Sequence, residues 1–175
     1  MIVKRRDATS NWIVYHQTLG ATKNIRLNSV NAEITSNQEW SNIAPTSSVF
    51  TVHDDGAVNI SGGSYVAYLF ATLSGISKVG SYSGTGNSID VDCGFTAGAR
   101  FVMIKRTDNT GHWYVWDTTN GIVSGNDPYW RMNDPSAAVT NTDYIDPLNA
   151  GFTVTASGQG DINASGGTYL FLAIA

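Results

Sequence analysis

The segment KRRDATSNWIVYHQTLG, from Lys4 to Gly20, recurs as KRTDNTGHWYVWDTTNG from Lys105 to Gly121, 101 residues later. Three further blocks follow in the same order: RLNSVNAEITS (26–36) with RMNDPSAAVTN (131–141), FTV (50–52) with FTV (152–154), and NISGGSYVAYLFA (59–71) with NASGGTYLFLAIA (163–175). Their separations are 105, 102 and 104 residues. Loop insertions and deletions leave this mark when the flanking elements are kept. A chain written twice is expected to contain two copies of one supersecondary unit.

Each block reads as strand. In HWYVWD, Trp113 and Val115 share one face while Tyr114 and Trp116 share the other, and Trp12 and Val14 alternate with Ile13 and Tyr15 in the same way. We expect the Trp–Val side to be the core face and Tyr15, Tyr114 and Trp116 to point outward. TYLFLAIA and SYVAYLFA are apolar on both faces, so both are expected to be central strands. The Gly62-Gly63 and Gly166-Gly167 pairs before them supply the φ freedom for a tight reversal. FTVHDDGAVNIS and FTVTASGQGDINAS read as hairpins, and 28–40 has room for one helical turn. Frequent short strands between turn signals predict an all-β fold, an antiparallel β-sandwich of the jelly-roll or concanavalin-like kind with ~12–14 strands.

The copies are unequal. The second is preceded by SKVGSYSGTGNSIDVDCGFTAGAR (77–100), which reads as two strands around a Gly-rich turn, whereas Met1 lies almost on the first Lys-Arg strand. The expected division is residues 1–76 and 77–175, as one fused sandwich or two packed ones. Either 77–100 serves both halves, or the first half has an open edge for another chain to cover.

Composition narrows the function. Charged residues are 14% of the chain and the net charge is −4, so no basic stripe is available for phosphates and no nucleic-acid partner is expected. Cys93 is the only cysteine, which rules out an intrachain disulfide. No apolar run approaches the ~18 residues of a membrane-spanning helix, and no membrane insertion is expected.

Residues able to do chemistry are scattered. His16, His53 and His112 sit in no recognisable triad, and the histidines of the two copies do not coincide. Asp90 with Asp92, and Asp54 with Asp55, could serve as paired carboxylates or as Ca2+ ligands, but such pairs more often shape turns. No enzyme activity, metal or cofactor is assigned. Arg5 with Asp7, and Arg106 with Asp108, fall on one face at matched positions and should form local ion pairs. NIS (59–61) and NAS (163–165) match a glycosylation sequon but suit the turn before Gly-Gly. GTGNS lacks the following helix of a phosphate loop. The best ligand-binding candidates are aromatic: Tyr15, Tyr114 and Trp116, with Trp40 and Trp130 in longer connections, because ring faces stack on sugar C–H surfaces. The same rings could instead fill a packed layer or a subunit contact.

GSYSGTGNSIDVDCGFTAGARFVMIKRTDNTGHWYVWDT, VYHQTLGATKNIRLNSVNAE, WSNIAPTSSVF and SGGTYLFLAIA resemble the repeated modules of large virion proteins of tailed bacteriophages, tail or tail-fibre proteins common in phages of aquatic bacteria. The resemblance covers almost the whole chain. It implies a lectin-like sandwich, although members usually carry the Gly-rich lead before every copy. It also implies a structural virion protein assembled in the host cytoplasm, with other virion proteins and copies of itself as partners and a host-surface glycan as possible ligand. A capsid decoration protein that completes its fold against a partner chain is the alternative; a polysaccharide depolymerase fits less well.

Overall fold

The structure, a computed structural model, describes residues 1–158 and 160–175. It is all-β, with thirteen strands in three antiparallel sheets among the described residues. Two compact units divide the chain, Met1–Phe70 and Ala71–Ala175. The boundary falls before 77 because Ala71–Ile76 is bonded forward. Ser77 Oγ donates to the Ala71 carbonyl at 2.7 Å, and Val79 N–H donates to Thr72 Oγ1 at 3.1 Å.

The first unit is a single sheet of β1 (Ile2–Arg5), β2 (Trp12–Val14), β3 (Lys23–Arg26), β4 (Ile34–Thr35) and β5 (Tyr65–Tyr68), in the order β4-β3-β2-β1-β5. Val3 lies opposite Ile13 on β2 and Ala67 on β5, so these residues share a face. That face is covered by the long connection 36–64, which brings in Trp40 and Val58 against Val3, Ile13 and Ala21. Backbone bonds brace this cover: His53 N–H donates to Glu39 O at 2.9 Å and Val58 N–H to Asp55 O at 3.1 Å. A loop therefore does here what a second sheet does in a sandwich, with the fully buried Trp40 side chain as its anchor.

The second unit is a sandwich. Its larger sheet has β6 (Ser77–Ser83), β8 (Phe101–Arg106), β9 (Trp113–Asp117), β10 (Trp130–Arg131) and β13 (Thr168–Ile174), in the order β10-β9-β8-β13-β6. The smaller has β7 (Ile89–Asp92), β11 (Ile145–Leu148) and β12 (Gly151–Val154), in the order β11-β12-β7. Val91, Ile145, Phe152 and Val154 from the small sheet meet Val102, Ile104, Tyr114, Trp116, Tyr169 and Phe171 from the large one in a shared core. Phe152 and Phe171 meet edge to face across it, with centroids 5.5 Å apart. Close approach requires glycine at several places, among them Gly80, where a Cβ would lie 2.5 Å from the Phe171 ring, and Gly151, where one would lie 2.1 Å from the Val91 carbonyl.

On four points the structure corrects the sequence-based reading or decides between its alternatives. The core face is the opposite one: Ile13 with Tyr15, and Tyr114 with Trp116, face the two cores, while Trp113 and Val115 are buried on the other side and Trp12 is half-buried. Both faces are apolar, so alternation separates them without saying which is inner. Secondly, β13 is central between β8 and β6, but the equally apolar β5 is an edge strand. Thirdly, 77–100 serves the second unit, since β6 pairs with β13 and β7 with β12. Fourthly, 50–61 contains hydrogen-bonded turns and no hairpin, and the FTV of 152–154 pairs as β12 with β11 and β7. The second expected hairpin includes Gln159, which lies outside the described residues. Gly62 and Gly166 do take up the left-handed conformation, both with φ of 76°.

Candidate functional site

Four of the five expected aromatic residues are held in the cores or against them. Tyr15 meets Trp40 edge to face at 5.8 Å in the first unit, with Trp40 only 1% exposed. Tyr114 and Trp116 stack at 5.9 Å in the second unit, at 1% and 0% exposure. Buried rings have no face left for a ligand. The Tyr114 hydroxyl donates to Asp161 Oδ1 and the Tyr144 hydroxyl to Asp161 Oδ2, both at 2.7 Å, so one carboxylate ties two tyrosines beneath the sheet. Burial, reinforced by Asp161, pushes both phenols upward in pKa. Trp130 is half-buried on the edge strand β10.

The matched segments build the same hydrogen-bonded frame in each unit. Trp12 N–H donates to Asn28 Oδ1 and Trp113 N–H to Asn133 Oδ1, each at 2.9 Å. Lys4 Nζ donates to the Ser10 carbonyl and Lys105 Nζ to the Gly111 carbonyl, again at 2.9 Å. Arg5 pairs with Asp7 at 2.8 Å and Arg106 with Asp108 at 2.9 Å. The arginine in each pair holds its partner carboxyl down at about 2, well below the usual carboxylate range. Ile60 N–H and Ala164 N–H donate to the phenol oxygens of Tyr65 and Tyr169 at 2.9 and 2.8 Å, closing the turn before β5 and β13.

On the first unit's frame lies an open groove of about 890 Å³, lined by residues 4–10 with Trp12, Asn28, Tyr65, Val66 and Tyr68. Register explains it: Lys4 on β1 lies opposite both Trp12 on β2 and Val66 on β5, and Ile2 lies opposite Tyr68, so all of these share the face away from Trp40. The Trp12 and Tyr68 rings are nearly parallel, 16° apart in plane and 6.3 Å between centroids. Lys4 Nζ sits 6.0 Å from the Trp12 ring centroid. Exposed Arg6 and the polar turn Asp7–Ser10 also line the groove. The lining carries Lys4, Arg5 and Arg6 against the single carboxylate of Asp7, a local positive balance on a chain of net charge −4. Aromatic faces beside hydroxyl, amide and cationic groups can stack on a pyranose and bond its oxygens. Reasoning from sequence missed Trp12, taken for core, and Tyr68, taken for a central strand.

The paired carboxylates shape turns and ladders. Asp92 Oδ1 accepts from Gly94 N–H and Asp55 Oδ1 from Ala57 N–H, both at 2.8 Å, and Asp90 Oδ1 accepts from the Thr153 hydroxyl at 2.7 Å. Among the described residues no group of three His, Cys, Asp or Glu is arranged to hold a metal ion. No helix among them is long and apolar enough to cross a membrane. Asp127 is fully buried and accepts from Val123 N–H at 2.7 Å. Burial, with Asp143 and Asp146 nearby, pushes its carboxyl up to about 6.

No curated protein and no solved structure matches the chain. Over residues 1–175 it matches the model of the family described as a domain of unknown function, DUF7483, and the protein belongs to that family.

Proposed function

We propose that the protein is a non-enzymatic structural component of a tailed-bacteriophage virion, mounted on the tail or a tail fibre, whose first unit contacts acidic glycans of the host surface. The observation that carries the glycan reading is the groove in which Trp12 and Tyr68 lie parallel beside Lys4, Arg6 and Asn28. The rings supply stacking area, and the cations favour a carboxylated or sulfated sugar over a neutral one. The virion reading rests on the long motifs shared with tail and tail-fibre modules. Binding without catalysis is supported by the carboxylates at Asp55, Asp90 and Asp92, each accepting a hydrogen bond within a turn or across a ladder. Its partners would be other virion proteins and copies of itself.

An array of bacterial oligosaccharides, acidic and neutral, tests this. The whole protein should bind acidic members, and Trp12→Ala should weaken that binding at least tenfold, about 1.4 kcal/mol. Binding to no glycan and no host strain, together with attachment to capsids, would favour the second reading of a capsid decoration protein, to which the uncovered strand β5 gives some support.

A further inference from the structure

Strand β5 ends the first unit's sheet, with β1 on one side and, among the described residues, no strand on the other. Its sequence match β13 holds β8 on one side and β6 on the other, through seven register pairs from Thr168↔Ser83 to Ile174↔Ser77. The consequence shows in burial. Tyr169 to Ala173 are all buried, whereas Tyr68 at the end of β5 and Leu69 and Phe70 just beyond it are 46%, 64% and 43% exposed. Unpaired edges are usually blunted by charge, proline or a bulge. The other edge strands of the described residues follow that rule: Lys78 on β6, Asp90 and Asp92 on β7, Arg131 on β10, Asp146 on β11, and Glu33 beside β4. From Ser64 to Ser77 there is neither a charge nor a proline.

We infer that β5 is a homodimer interface, pairing antiparallel with β5 of a second copy of this chain. The occupant follows from the other edges. β6 of a second copy also has one open side but would bring Lys78 against an apolar strand, and each remaining edge would likewise bring a charge. Among the described edge strands β5 alone has no charge in it or next to it in sequence, and an uncharged strand meets its own copy across a two-fold axis without like-charge repulsion. Main-chain hydrogen bonds would join the two sheets, and the side chains of Tyr68, Leu69 and Phe70 would leave water. Tyr68 also lines the groove, whereas Leu69 and Phe70 do not, so a substitution at Leu69 tests this interface separately from the glycan reading.

Light scattering coupled to size exclusion tests it on the whole chain. At about 100 µM, where any dimer with a Kd of a few micromolar or tighter is mostly assembled, the expected mass is twice the 18.7 kDa of one chain. Leu69→Lys should return the monomer and raise amide exchange across residues 65–70. Val49→Lys, at an equally exposed position of the same unit but away from β5, should remain dimeric. Circular dichroism of both variants reports whether the fold is kept. A monomeric wild type, or a Leu69→Lys variant that folds and still dimerises, overturns the inference.

Discussion

Trp12 and Trp113 begin alike and end differently. Each opens the second strand of its frame, donates its amide to an asparagine at 2.9 Å, and lies across the ladder from a lysine. Yet Trp113 is 3% exposed with Lys105 fully buried near it, while Trp12 is half-buried beside Tyr68 at the wall of an open groove. Burial pushes Lys105 down to about 8, so the second frame carries a cation where water is excluded. What differs is the complement of added strands. The second unit has β6 along β13 and a second sheet behind its core; the first has a loop behind its core and, among the described residues, no strand paired along the outer side of β5. A local hydrogen-bonded frame sets backbone geometry, and the elements recruited around it decide which residues are core and which are surface.

The comparison can be broken most forcefully at Trp40, which stands where the second unit has a sheet. Trp40→Ala should cost the first unit about 4 kcal/mol, because the loop loses its anchor and leaves a cavity. Urea unfolding followed by exchange at each unit's amides should show the first unit opening while the second is intact. A single concerted transition in which both units lose the same stability would contradict the separate cores described here.

Next in size, Gly80→Ala places a methyl 2.5 Å from the Phe171 ring, itself fixed against Phe152. A loss of about 2 kcal/mol is expected, with amides of β13 becoming as exchangeable as those of β5. Unchanged protection on β13 would mean that β6 is not what distinguishes the two strands.

Asp127→Asn should do the reverse and stabilise the second unit. The folded protein raises this carboxyl to about 6 from its ordinary 3.8, so the group's contribution is fully favourable below about pH 4 and is lost as the pH rises through 6. The melting temperature of the wild type should therefore fall between pH 5 and pH 7. The asparagine variant should flatten that slope and gain about 1–2 kcal/mol at pH 7. No difference between the two profiles would place the pH dependence elsewhere.

Much of this was legible from alternation and spacing. The strand class, the left-handed glycines at 62 and 166, and the Arg–Asp pairs at matched positions all follow from residues close in sequence. The inner face was not legible, because Ile13 and Tyr15 are as apolar as Trp12 and Val14, and the choice depends on whether Trp40 arrives from 28 residues away. Strand β5 misled for a similar reason: its own residues match β13, and its edge position depends on where 77–83 pairs. The groove did leave a trace. Position 68 is tyrosine where its match is Leu172, and position 6 is arginine where its match is Thr107. Aromatic and cationic departures between otherwise matched strands were the signal to follow.

The most direct measurement is an amide and indole NMR titration of the whole protein with a polyuronate hexasaccharide. The indole N–H of Trp12 and the amides of residues 6–10 should shift with saturation, while the indole of Trp113 stays in place. No perturbation at Trp12 at millimolar sugar, or equal shifts at Trp12 and Trp113, would contradict the claim that the open frame, and not its buried counterpart, is the binding surface.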